Sequence, residues 1–267
     1  RRDWSRAHWE QLARWIAAHR RGVRRLGIGC VVLAALAMVT FAWAWNATPS
    51  VSALGQLVRA QDAVHGATYT PLLRISPWMG RALVSIEDEH FYQHHGIDTI
   101  GLLRALWDDA RARRIVEGGS TLTEQLAKNA YLSGYDHTPL LKVEDMVLAL
   151  KVEHQYSKGQ ILEFYLNLVY FGHGAYGVAG ASQIYFNLPP ARLDIAQAAM
   201  LAGLVRAPSY YDPWCHPNAA RARQRAVLDR MVADGFISAG QDRAAEAEQQ
   251  PFWTPGVVAP PGPVCIG

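Results

Sequence analysis

A chain of 267 residues, half of them hydrophobic and 18% charged, carries enough apolar side chain to bury one sizeable core, which excludes a disordered polypeptide. Twenty-six Lys and Arg against 23 Asp and Glu leave a formal charge of +3. That surplus is too mild to argue for nucleic acid as a partner.

The chain opens with a basic arm at residues 1–25, where Arg1, Arg2, Arg6, Arg14, Arg20, Arg21, Arg24 and Arg25 are crowded together. Trp4, Trp9 and Trp15 are spaced for a helix lying on a membrane surface, with a leader lacking fixed structure as the alternative. Leu26–Trp45, LGIGCVVLAALAMVTFAWAW, then runs without a charge. A helix rising ~1.5 Å per residue needs about that length to cross ~30 Å of hydrocarbon. Trp43 and Trp45 close the run, where indole rings favour the lipid–water interface. A cleavable signal peptide would have a shorter apolar segment and a small-x-small exit. The pattern therefore predicts a single-pass anchor at residues 26–45, the N-terminus cytoplasmic and the remainder extracytoplasmic.

Residues 46–75 have mixed character and are expected to link anchor and body, with the body at 76–235. Helix signals dominate there, and the absence of an alternating pattern makes the fold class mainly α. Ser76-Pro77 opens a helix expected to reach about Tyr92. Thr121-x-x-Glu124 is a capping-box pattern for a helix to about Leu132, and Thr138-Pro139 opens another to about Val152. Ser157-x-x-Gln160 precedes a helix ending near Gly172, and Asp194-x-x-Gln197 precedes one that stops before Pro208. Arg221–Gly235 is a further amphipathic helix. Residues 236–267 form a Pro-rich tail. Of the three cysteines, Cys30 falls in the span as a packing residue. Cys215 and Cys265 fall outside the membrane, where a disulfide persists, and are expected to pair.

Chemistry concentrates in SIEDEHFYQHHG, Ser85–Gly96. On a helix from Pro77, Met79, Leu83, Ile86 and His90 share one face; Glu87 lies at its border and Asp88 turns away. Glu87 is thus the acid placed for partial burial, which would raise its pKa toward that of a useful base. A solvated carboxylate on an acidic helix end is the alternative. His90 and His94 have the i,i+4 spacing of zinc-binding helices, but no third ligand follows from the spacing, and a His near a helix end more often satisfies carbonyls.

A second constellation is EGGSTLTEQLAKN, Glu117–Asn129, a glycine pair leading into a capped helix N-terminus. Such a turn favours anions. Thr121, Gln125 and Lys128 fall on one stripe of that helix, lining a wall suited to phosphate or sugar; an ordinary capped helix with a snorkelling lysine is the alternative.

Together these stretches resemble the peptidoglycan glycosyltransferases of glycosyltransferase family 51, of the monofunctional type. Five blocks stand in the family's order between about Leu72 and Pro213: EDEHFYQHHG, GGSTLTEQLAKN, LKVED, SKGQILEFYLNLVYFGHGAYGVAGASQIYF and LDIAQAAMLAGLVRAPSYYDP. The resemblance implies a lysozyme-like fold of two helical lobes around a cleft. It also implies polymerisation of lipid II into β-1,4 glycan strands, with inversion and release of undecaprenyl pyrophosphate. Glu87 would be the general base. Residues matching Arg104, Ser120, Gln125, Lys128 and Lys142 would line the donor and pyrophosphate side, while Phe91, His94 and Gly96 shape the cleft. The implied partners are lipid II, the growing glycan strand, the inner membrane and other proteins of cell-wall synthesis. No cofactor is required by the residues. The resemblance leaves room for a divalent cation such as magnesium beside the pyrophosphate, and no spacing defines its site. In the block from Ser157 to Phe186, Glu163, Tyr165, Asn167, Gly172 and Gly177 are expected to be scaffold.

The chain departs from the family in places. The family's Arg-Lys-x-x-Glu is here Leu141-Lys142-Val143-Glu144-Asp145, so Asp145 holds the place of a second catalytic Glu on a side chain one methylene shorter. An upstream arginine aligns with His137, a weaker grip on pyrophosphate. Glu124 and Gln197 replace Gln and Glu in their caps. A working polymerase is expected. The competing readings are a catalytically weak lipid II-binding or scaffolding module and a lysozyme-like hydrolase.

Overall fold

The computed structural model describes Trp9 and residues 20–101, 119–132 and 139–248. Two units are distinguished, one ending at Thr48 and one beginning at Pro49.

In the first unit, α1 (Arg20–Ala47) contains Gly27–Ala47, a stretch long and apolar enough to cross a membrane. Its few polar side chains bond back to the helix itself: Thr40 Oγ1 donates to the Leu36 and Ala37 carbonyls, and Asn46 Nδ2 to that of Ala42. These two side chains thereby satisfy donors within the helix, as a hydrocarbon environment favours. Cys30 is a free thiol exposed on α1.

The second unit is mainly α, with no named strand among its described residues. Its helices are α2 (Leu54–Val64), α3 (Pro77–Glu87), α4 (Leu122–Tyr131), α5 (Pro139–Gln155), α6 (Lys158–Leu168), α7 (Gly177–Phe186), α8 (Ile195–Leu204), α9 (Pro217–Ala233) and α10 (Ala239–Ala247). Helices α3, α8 and α9 pack mutually, and α4, α5 and α6 form a second trio, with α2 and α7 against α6. One continuous core joins them, including Met79, Leu83, Leu122, Leu126, Leu148, Ile161 and Met200. Helix α8 is buried from Ala196 to Leu204, its small residues letting neighbours approach on several sides. The capping boxes at Ser157/Gln160 and Asp194/Gln197 are formed in both directions.

Several sequence expectations need correction. Helix α3 ends at Glu87, not near Tyr92, because Asp88 is extended (φ −159°, ψ 73°). The Asp88 carboxylate accepts from Leu122 N at 2.9 Å and faces His94 Nε2 at 2.9 and 3.0 Å. A tertiary contact therefore outweighs helix continuation. Ser76 stands at the N-cap without a side-chain bond to the helix. At α4 only half the box forms: Thr121 Oγ1 accepts from Glu124 N at 3.1 Å, while the Glu124 carboxylate turns to Lys142. Helix α6 stops at Leu168, before a tight turn through Gly172, His173 and Gly174 at positive φ.

The expected linker at 46–75 is largely part of the body. Leu54 and Val58 of α2 are fully buried, and Thr70 N and O bond to the Asn167 amide at 2.7 and 2.9 Å. The tail from 236 likewise begins as structure. Ile237 and Ala245 are buried, and Ser238 and Gln241 form a third capping box ahead of α10. Cys215 is disulfide-bonded. Its expected partner, Cys265, lies outside the described residues.

Candidate active site

The two trios meet at the end of α3. Glu87, the last residue of that helix, projects into a cleft of about 380 Å³ lined by Ser120, Thr121 and Gln125 on one side and Arg206, Arg223 and Arg230 on the other. The volume suits one or two sugar rings. Glu87 Oε2 accepts from Gln125 Nε2 at 3.0 Å, and Glu87 Oε1 faces Arg223 Nη2 at 3.2 Å. Its side chain keeps 11% of its exposure. Burial pushes its pKa above the ordinary carboxylate value; the Gln125 bond and the charges of Arg223 and Arg206 pull the other way, and nearby Asp88 pushes up. A carboxylate held above its usual range yet bonded in its ionised form can receive a proton and release it again.

The neighbouring acids have other work. Asp88, buried, joins α3 to the N-terminus of α4 and to His94. Asp98 faces His90 Nδ1 at 2.8 Å and accepts from Gly101 N at 2.9 Å. Glu89 lies 3.5 Å from Arg230. The two histidines of the zinc alternative thus serve different carboxylates. Among the described residues no three His, Cys, Asp or Glu side chains are grouped to hold a metal.

Of the residues expected on the anion side, Ser120, Thr121 and Gln125 line the cleft with Glu87. Thr121 Oγ1 also donates to Gly96 O at 2.6 Å. Lys142, on α5, donates to Ser120 Oγ at 3.1 Å and pairs with Glu124. Asp145 is near enough for its charge to raise the Glu124 pKa, already raised by burial and opposed by Lys142. Lys128 is one turn beyond Gln125 on α4 and outside the cleft lining. Arg104 and His137 lie outside the described residues, as does the Leu141 side chain.

Phe91, His94 and Gly96 stand behind the cleft. Phe91 is fully buried with Lys158 Nζ 4.4 Å from its ring centre, and His94 Nδ1 accepts from Gly96 N at 3.2 Å. Gly96 has φ +97°, and a Cβ there would meet the Ala149 backbone at 3.1 Å. A larger residue would push α5 from the site.

The three arginines were missed by sequence reasoning. Arg223 and Arg230 are seven apart on α9, two turns along one face, a spacing that marks a shared wall. Nothing in the sequence told which helix that wall would meet.

The profile of the Transglycosylase family matches residues 54–232. The chain belongs to that family. The chain is 44% identical to penicillin-binding protein 1F of Bacillus subtilis over 165 residues, 62% of this chain and 23% of that protein. It is 40% identical over 218 residues to a protein of Cupriavidus necator named as a transglycosylase, covering 80% of this chain and 88% of that one. A crystal structure of penicillin-binding protein 1A from Haemophilus influenzae aligns at 38% identity over 34% of this chain and 14% of that chain. The TM-score of that alignment is 0.33. The chain spans about a quarter of the length of the penicillin-binding proteins it matches.

Proposed function

We propose that the chain is a membrane-anchored peptidoglycan glycosyltransferase that joins lipid II units into β-1,4 glycan strands. The observation that carries this reading is the Glu87 carboxylate, mostly buried at the floor of a sugar-sized cleft and held between the Gln125 amide and the Arg223 guanidinium. In the proposed step the 4-hydroxyl of the acceptor attacks the anomeric carbon of the donor. The new C–O bond forms as the bond to undecaprenyl pyrophosphate breaks, configuration inverts, and the hydroxyl proton passes to Glu87. Cations already in place lower the barrier by meeting charge as it develops on the leaving group. The arginines of the cleft and Lys142 beside Ser120 are the described candidates. Residues 20–47 supply the anchor, and the arginine-rich arm before it favours a cytoplasmic N-terminus with the catalytic unit outside.

One observation favours a second reading, a lipid II-binding module of low activity. Lys142 is held by Glu124, with Asp145 adding negative charge at that corner. Labelled lipid II distinguishes the two: polymer supports the enzyme, retention without turnover supports the module. Glu87→Gln is expected to cut polymerisation by about 10²–10⁴-fold, the usual range for a general base, while lipid II is still retained. Normal polymerisation by that variant would remove Glu87 from the role.

A further inference from the structure

Tyr165 occupies the middle of α6, where an aromatic residue is ordinarily core filling, and its ring is indeed almost wholly buried. Its hydroxyl is the exception. Tyr165 Oη donates to Gln125 Oε1 at 2.6 Å, and the other end of the same amide, Gln125 Nε2, donates to Glu87 Oε2 at 3.0 Å. A primary amide can present either end to a carboxylate, and the two ends have opposite effects. The N–H end stabilises the ionised acid; the carbonyl end repels it and favours the protonated one. Something must choose. In this buried chain the phenol O–H biases the choice: with Gln125 Oε1 as its acceptor both hydrogen bonds form, whereas a turned amide would donate to the phenol oxygen, leave the phenol proton without that acceptor and aim its carbonyl at Glu87. Burial, with the Glu87 charge adding to it, holds the phenol well above its ordinary pKa.

We infer that Tyr165 is a positioning residue, whose hydroxyl fixes the orientation of the Gln125 amide and thereby keeps Glu87 ionisable inside the cleft. Tyr165 is not among the residues that line the cleft; it acts through Gln125. The inference rests on Glu87 being the base, as proposed above.

Tyr165→Phe tests it, since the ring still fills its place. Lipid II polymerisation by the full chain is measured against pH, with thermal melting in parallel. With the hydroxyl gone the amide is free to turn, so the acid limb of the rate profile is expected to move up by roughly half to one pH unit, the size of a lost hydrogen bond to the charged form. Rates below the limb fall about three- to tenfold, and the alkaline plateau stays within about twofold of the parent. In a Gln125→Ala background the same substitution should produce no further displacement, because the amide it acts through is absent. An unmoved limb in Tyr165→Phe overturns the inference, and so does an equal displacement in the Gln125→Ala background. Glu87→Gln, run alongside, separates the two claims. If it is inactive while the Tyr165→Phe limb is unmoved, the positioning role alone fails; if it polymerises normally, the base itself is misassigned.

Discussion

The floor of the cleft around Glu87 and the corner between α4 and α5 around Glu124 are built from the same parts and differ in what surrounds them. Each holds a carboxylate whose pKa burial raises, and each offers it one basic partner, Arg223 in the first case and Lys142 in the second. At Glu87 an amide N–H and a second guanidinium, Arg206, favour the ionised form and outnumber the one opposing acid, Asp88. At Glu124 the additional neighbour is another acid, Asp145, which opposes it. The floor is a carboxylate kept ready to exchange a proton. The corner is a negative cluster that occupies a lysine. Two ion pairs of similar composition can therefore have opposite consequences for a bound anion, since the net charge of the shell decides, not the pair.

The comparison is broken most severely at the floor. Arg223→Ala leaves Glu87 without its close cation, and an opposite charge at such range is worth about one to three pKa units. The acid limb of polymerisation should move up by that amount, more than in Tyr165→Phe. The sign follows from the chemistry. A base works ionised, so its rate rises as pH climbs through its pKa, and a higher pKa moves the rise to higher pH. An unchanged pH profile would show that the guanidinium does not control the acid.

At the corner, Glu124→Gln releases the Lys142 ammonium while leaving a hydrogen-bonding side chain beside Thr121. Apparent affinity for lipid II is expected to improve about two- to fivefold, in the range of one partly exposed charge pair. No change in KM, with unaltered folding, would show that Lys142 lies outside the anion's reach.

A third buried acid sharpens the contrast by lacking partners on one side. Asp62 follows Leu54 and Val58 at four-residue steps along the buried stripe of α2, a place where an aliphatic side chain would be expected. Its Oδ2 has no hydrogen-bond partner among the described residues, and burial pushes its pKa from 3.8 to about 6. A carboxyl that binds protons more tightly folded than unfolded loses stability as pH rises, here between about 4 and 6. Asp62→Asn should remove that slope and raise stability at pH 7.5 by roughly 1–2 kcal/mol, read from chemical denaturation at two pH values. The smallest effect is expected at Gly203, where a Cβ would stand 3.0 Å from Arg223 Cγ. Gly203→Ala should displace that side chain slightly and move the acid limb in the same direction as Arg223→Ala by only a few tenths of a unit.

Much of the site was legible because its residues are close in sequence or share a helical stripe. Glu87 at the edge of an apolar face, and Thr121 with Gln125 on one side of α4, need only the helical period to be placed. The Ser157 and Asp194 caps are local chemistry and formed as written. Asp88 was misjudged for the opposite reason: its partners, His94 and Leu122 N, arrive from a turn and from another helix, and together they end α3 early. Tyr165 was placed as scaffold, which its ring is; its hydroxyl acquires a second meaning only when α6 packs beside α4.

By itself the sequence determined the apolar stretch after the basic arm, the mainly α character, the starts of α3, α4, α5, α6 and α8, and the acid at the end of α3. These depend on hydrophobic period and on backbone groups satisfied within a few residues. Only the tertiary structure decided that α9 brings Arg223 to that acid, that Glu124 engages Lys142, and that a buried phenol holds the Gln125 amide. Those contacts join residues 18 to 136 positions apart. Their geometry is set by how helices pack, and local sequence pattern carries no record of that.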